Sequence, residues 1–227
     1  MGRLFDADSG LMRGLSRMTD LVLLNLLFIL TSIPIVTIGA STSALYSVFF
    51  RWHRQEESGY VKAYFHAFAR DFKEATLLWL AFVAAFGIGL FDIWFFTQQP
   101  EPLGYVSLLF CFLSAMVLFV YGYAIVLVSL FANSFVGTLK NALLMSVAYF
   151  PRTLGITCFG CLPVLLVWLF PSIILQFGWV LALFAFSGVT YLNSLLLRPV
   201  ILPMLEKRRK TPDKFTKSPV LGGKGGK

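Results

Sequence analysis

Charge is what this sequence has least of: Asp, Glu, Lys and Arg make up 13% of its 227 residues, against 58% hydrophobic. A water-soluble fold of that length could not cover its core with so little polar surface, so the surplus apolar side chains must face lipid. Cysteine is scarce as well. Cys111, Cys158 and Cys161 are odd in number and all fall inside apolar runs with no loops to staple, which excludes a disulfide framework of the secreted type. A cleavable leader is not expected either, because acids and bases alternate up to Asp20 and no small-residue cleavage site follows a short apolar core.

What the chain does have is long charge-free runs: Leu21–Phe50, Pro102–Leu139 and Thr153–Leu197. Each exceeds the roughly 20 residues that one bilayer crossing needs. The pattern predicts an all-α fold, a polytopic transmembrane helical bundle in one domain over residues 1–206. From Lys207 to Lys227 follow eight basic residues and one acid, Asp213, so this tail carries +7 of the formal net charge of +8. It reads as a disordered cytoplasmic flank facing anionic lipid. No aromatic platform or folded basic face accompanies it, which argues against nucleic acid as a partner.

Leu21–Phe50 would be about 45 Å long as one straight helix, too long for a hydrocarbon core of about 30 Å. The break belongs at Ser32–Gly39, where Pro34 removes a donor and Gly39 permits a sharp reversal. Ser41, Thr42 and Ser43 would then cap the restarted helix. A hairpin here gives six spans with both termini inside; a single crossing gives five, with the N-terminus outside. Loop charge favours six, since the turns near Gln98 and Pro171 carry no basic residue. The last span is expected to end near Arg198-Pro199. Between the first two runs, Val61, Tyr64, Phe65, Phe68 and Phe72 recur every three or four positions, with Lys62, His66, Arg70 and Lys73 on the other side. This predicts a cytoplasmic amphipathic helix near residues 59–74. A second cytoplasmic helix is expected over Asn133–Arg152.

The stretch from Pro34 through Thr37, Gly39, Ser41, Ala44 and Leu45 to Tyr46 resembles the hallmark of the YesL-like family of bacterial membrane proteins of unknown function. The surroundings agree: Leu11-Met12-Arg13 before the first span, an amphipathic Ala67–Ala75 leading into the next apolar run, and a basic tail. The family offers no catalytic or binding residues to carry over. Its members are usually encoded beside carbohydrate-utilisation genes, so the resemblance implies a role in sugar uptake, with sugar importer permease subunits as partners beside the bilayer itself.

Other candidates for chemistry meet simpler readings. Cys158-Phe-Gly-Cys161 has the spacing of a redox pair, but a membrane thiol oxidoreductase needs a second shuttle pair and only Cys111 remains. Asp92 is the one acid inside an expected span and lies close to outer water. His53 and His66 lack partners at metal-ligand spacing. Gly222–Lys227 lacks the Ser/Thr, strand and helix of a phosphate loop. Asn25, Thr31, Ser32, Ser41, Thr42, Ser43, Asn193 and Ser194 could line a cavity, yet polar groups in lipid more often bond to neighbouring helices. Trp52, Trp79, Trp94, Trp168 and Trp179 read as an interfacial belt. No enzyme, cofactor or metal is expected. The favoured function is an accessory or assembly partner in carbohydrate uptake, and the alternative is a small-solute transporter using the broken helix at Pro34–Gly39.

Overall fold

A computed structural model describes residues 10–56, 59–100, 102–131, 134–169 and 171–210, and every regular element among them is helical. The helices are α1 (Gly10–Thr31), α2 (Ile38–His53), α3 (Tyr60–Thr97), α4 (Val106–Leu130), α5 (Phe135–Ala148), α6 (Phe150–Leu169) and α7 (Pro171–Lys210). Three helical segments, Tyr60–Thr97, Leu103–Leu130 and Phe184–Lys207, are long and apolar enough to cross a membrane, and the bent pair α5–α6 makes a fourth if counted as one span.

The first apolar run breaks where proline requires it. α1 stops at Thr31, Pro34 is extended (φ −75°, ψ 115°), and a single 3-10 turn over Ile35–Thr37 leads into α2. Thr37 closes the gap: its Oγ1 donates to the Thr31 carbonyl (2.6 Å) and the Pro34 carbonyl (2.7 Å), relieving acceptors that the end of α1 leaves open. Two expectations about this turn need correction. Gly39 does not supply a left-handed turn residue, since no glycine among the described residues has a positive φ. Nor do Ser41, Thr42 and Ser43 cap α2, because they lie inside its first turns; Ser41 and Thr42 bond back to the carbonyls of Thr37 and Ile38, and Ser43 reaches sideways to α3.

The expected amphipathic helix near 59–74 is not a separate element. It is the first half of α3, which continues without a break to Thr97, 38 residues and about 57 Å in all. Nothing in Glu74-Ala75-Thr76 interrupts it, and Tyr64, Ala67, Asp71, Ala75 and Leu78 form one buried stripe at helical spacing along it. α2 packs on that stripe, so the Pro34–Gly39 turn comes to rest beside Ala75 and Trp79. From there α3 runs a further 18 to 22 residues, about 27 to 33 Å, before its own turn toward α4.

The helix expected over Asn133–Arg152 exists as α5 but ends at Ala148, and α6 leaves it at 104°. Thr153 Oγ1 donates across that corner to the Ser146 carbonyl at 2.8 Å. α6 and α7 pack as a hairpin whose second helix opens on Pro171, where a missing N–H costs nothing. α7 then passes the expected end at Arg198-Pro199 and continues through Pro199 and Pro203 to Lys210, four residues into the expected tail. Each internal proline forfeits a helical hydrogen bond, but Leu197, Val200 and Ile201 are buried in the core with Tyr46, Phe50 and the C-terminal end of α4, and that packing holds the helix on course. The rest of the tail, residues 211–227, lies outside the described residues.

Polarity is arranged for lipid. Ile88, Phe91, Trp94, Leu108 and Phe112 on the α3–α4 hairpin are all at least 60% exposed, whereas Asn25, Ser41, Ser43, Asn193 and Ser194 are buried. Leucine outside and asparagine inside suit a medium in which polar groups must find partners on neighbouring helices.

Candidate functional site

The motif Pro34 to Tyr46 lies where α1, α2 and α3 meet. Pro34 is on the exposed tip and Thr37 ties the turn, while Gly39, Ser41, Ala44, Leu45 and Tyr46 are buried. Gly39 is there because two backbones touch. A Cβ built on it would collide with the Ala75 carbonyl oxygen and stand 2.5 Å from Trp79 Cβ. Trp79 in turn donates its indole N–H to the Ile35 carbonyl at 2.9 Å, so the side chain that crowds Gly39 also secures the turn before it. Trp79 is therefore a clamp from α3 onto the turn. Ser41 completes a hydroxyl cluster with Thr31 (2.9 Å), which contacts the Tyr64 hydroxyl at 2.7 Å.

One turn further in, an ion pair that the sequence reading missed joins three helices. Arg70 chelates Asp71 with Nε to Oδ1 (2.7 Å) and Nη2 to Oδ2 (2.8 Å), and Nη2 also donates to the Ser129 carbonyl near the end of α4 (2.6 Å). Ser43 on α2 donates to Asp71 Oδ2 at 3.0 Å. Asp71 is 7% exposed, while the Arg70 side chain is 49% exposed. A signal was present in the sequence: Asp71 is the one acid on the Tyr64–Ala67–Ala75–Leu78 stripe, and a carboxylate on a buried stripe requires a donor.

A third set of contacts binds α7 to the hairpin. The Asn25 carboxamide oxygen accepts the Ser187 backbone N–H at 3.0 Å, Tyr46 is hydrogen-bonded to Asn193, and His53 Nε2 meets Ser194 Oγ at 2.8 Å. Ser194 spends its proton on the Tyr191 carbonyl (2.6 Å), so His53 Nε2 carries the hydrogen of that pair. Burial first and the charge of Arg198 second hold the imidazole of His53, at the end of α2, below its ordinary pKa.

Thus most of the polar residues that could have lined a cavity are joined helix to helix, as packing predicts. The remaining candidates stay apart. Cys158 and Cys161 are free thiols on the exposed side of α6, and Cys111 is exposed on α4. Asp92 is partly exposed on α3, and His66 is exposed on the same helix. Among the described residues no group of three His, Cys, Asp or Glu could hold a metal ion. Gly222–Lys227 lies outside the described residues.

These features define a class, a polytopic helical bundle built for lipid and knit by polar contacts around a broken N-terminal hairpin. Residues 21–93 of the chain match the family described as protein of unknown function, DUF624. The match spans the apolar part of α1, the turn, α2 and most of α3, and so contains the phrase that resembles the YesL-like family, Gly39 and the Arg70–Asp71 pair. No curated protein and no solved structure matches the chain.

Proposed function

We propose that this chain is a non-enzymatic, multi-pass protein of the bacterial cell membrane, an accessory or assembly partner in carbohydrate uptake. The observation that carries the accessory reading is the use of the buried polar groups: Thr31, Ser41, Ser43, Asn25, Tyr46 and Asp71 are all engaged between helices. The turn at Pro34 would be the natural solute site of a transporter, because a broken helix frees backbone acceptors. Here the Thr31, Pro34 and Ile35 carbonyls already receive Thr37 and Trp79. The link to carbohydrate rests on the family resemblance.

In this reading α3, α4, α6 and α7 are full crossings with both termini cytoplasmic; counting α1–α2 as two more would make the six that the sequence suggests. α2 is only 16 residues, about 24 Å, and the turn before it lies 18 to 22 residues short of the end of α3, so this pair turns back within the bilayer rather than at its outer face. The test is purification of the tagged full chain from native membranes in mild detergent, alongside reconstitution into liposomes. Recovery of sugar importer permease subunits at near-stoichiometric yield, with no sugar flux from the purified protein, is the expected result. Sugar flux by the purified protein alone would replace this reading with the transporter.

A further inference from the structure

Where α1, α2 and α7 emerge on the basic side of the bundle they enclose a cleft of about 150 Å³, lined by Arg17, Trp52, His53, Gln55, Tyr191 and Arg198 among others. Its two guanidinium groups come from helices far apart in sequence. Arg17 stands over the Trp52 ring, 6.0 Å from its centroid, and Arg198 is close enough to His53 to act on its charge. Neither arginine forms an ion pair among the described residues; Asp20, the acid one turn along α1, does not reach Arg17. Of the two acids in the adjoining loop, Glu56 is instead held by Arg51 and Arg54, and Glu57 lies outside the described residues. Two cations that face one small cleft with no acid partner among the described residues repel each other, and an anion between them would remove that cost.

The rim is shaped as well as charged. α2 ends with Gln55 in the left-handed region (φ 58°), its N–H on the Trp52 carbonyl (3.0 Å) and the Glu56 N–H on the Arg51 carbonyl (3.2 Å). This closure of a helix usually employs glycine, which would carry no side chain. Here the left-handed position is Gln55, and this residue lines the cleft. The Tyr191 ring packs edge-on against Phe49, tilted against Trp52 and stacked on His53, which fixes the aromatic wall (centroids 5.5 to 5.8 Å apart).

We propose that this cleft binds a phosphate-bearing anion, gripped by Arg17 and Arg198 and bordered by Gln55 and the Trp52–Tyr191 wall. Guanidinium forks match phosphate oxygens, and basic pockets between membrane helices at this face suit anionic headgroups. The phosphate can come from an anionic phospholipid or from a soluble phosphate ester, and one experiment separates the two. Delipidated full-length protein in neutral detergent is titrated with phosphatidylglycerol, with phosphatidylcholine and with glycerol 3-phosphate, and bound ligand is counted by native mass spectrometry. The same is done for Arg17→Gln/Arg198→Gln and for a control with equal charge loss elsewhere, Lys62→Gln/Lys73→Gln. Phosphatidylglycerol held about tenfold or more tighter by wild type and the lysine control than by the arginine variant, with phosphatidylcholine indifferent to all changes, establishes the lipid source. The same pattern with glycerol 3-phosphate, unaided by acyl chains, establishes the soluble one. Equal loss in the lysine control, or equal binding by all three proteins, overturns the site. Unchanged melting temperature of the arginine variant in ligand-free detergent shows that it is folded; if it is not, Gln55→Gly, which keeps the helix closure and removes the carboxamide, must weaken binding.

Discussion

Gly39→Val should destabilise the detergent-solubilised protein by about 3 kcal/mol or more, the upper part of the range for overpacking a rigid site. The neighbours a new side chain meets are the Ala75 carbonyl and the Cβ of Trp79, both fixed by the path of α3, so no rotamer change can clear them. Relief requires α2 to move off α3, which would part Ser43 from Asp71 and Trp79 from Ile35. Gly39→Ala, which adds only the colliding Cβ, should already lower stability measurably. Gly87→Val is the control, because a Cβ at Gly87 meets nothing within 4 Å. Valine also ranks slightly above glycine in a helix, so the control should be neutral within about 0.5 kcal/mol. Thermal unfolding of the variants in one detergent measures the difference, expected at about 6 °C or more for a chain of this size. Equal melting temperatures would mean that α2 does not touch α3 at this point.

The ion pair gives the second large effect. Arg70→Leu leaves Asp71, nearly buried, with only the Ser43 hydroxyl as donor, and should cost about 2 to 4 kcal/mol. That is below the full penalty for breaking a wholly buried pair, since Arg70 is half in solvent. Asp71→Asn keeps shape and one acceptor and should cost about 1 to 2 kcal/mol. The double variant Arg70→Leu/Asp71→Leu should be more stable than the sum of its parts by at least about 1 kcal/mol, as contacting groups are not additive. Strict additivity in that cycle would deny the pair any coupling.

The sequence carried the helical membrane class because hydropathy and charge segregation are set by the solvent, and both operate residue by residue. It also carried the site of the first break, since Pro34 acts on its own neighbours. The reason for Gly39 was less legible: reversal and close approach both favour glycine, and only the position of Ala75 across from it decides between them. The fusion of the amphipathic helix into α3 was missed for a related cause. Charged residues at Arg70, Lys73 and Glu74 look like a boundary, yet no proline or glycine lies there to end a helix, and Asp71 on the buried stripe marked continuity. Proline misled in the opposite direction at Pro199, where burial of Leu197, Val200 and Ile201 outweighs a local preference. The cleft below Trp52 could not be read at all, because Arg17, Gln55 and Arg198 come from segments that meet only once α1 and α7 are packed.

The most direct test of the account is the side of the membrane on which each turn lies. Cys111, Cys158 and Cys161 are first replaced by Ala, which their exposed, unbridged state makes tolerable. Single cysteines are then placed at Ser9 and at Gln98, and sealed cells are treated with an impermeant maleimide before and after permeabilisation. The bundle whose first apolar run turns back predicts that Gln98→Cys is labelled in intact cells, whereas Ser9→Cys is labelled only after the membrane is opened. Labelling of Ser9→Cys in intact cells would place the N-terminus outside, as the five-span alternative has it, and contradict a first apolar run that turns back at Pro34–Gly39.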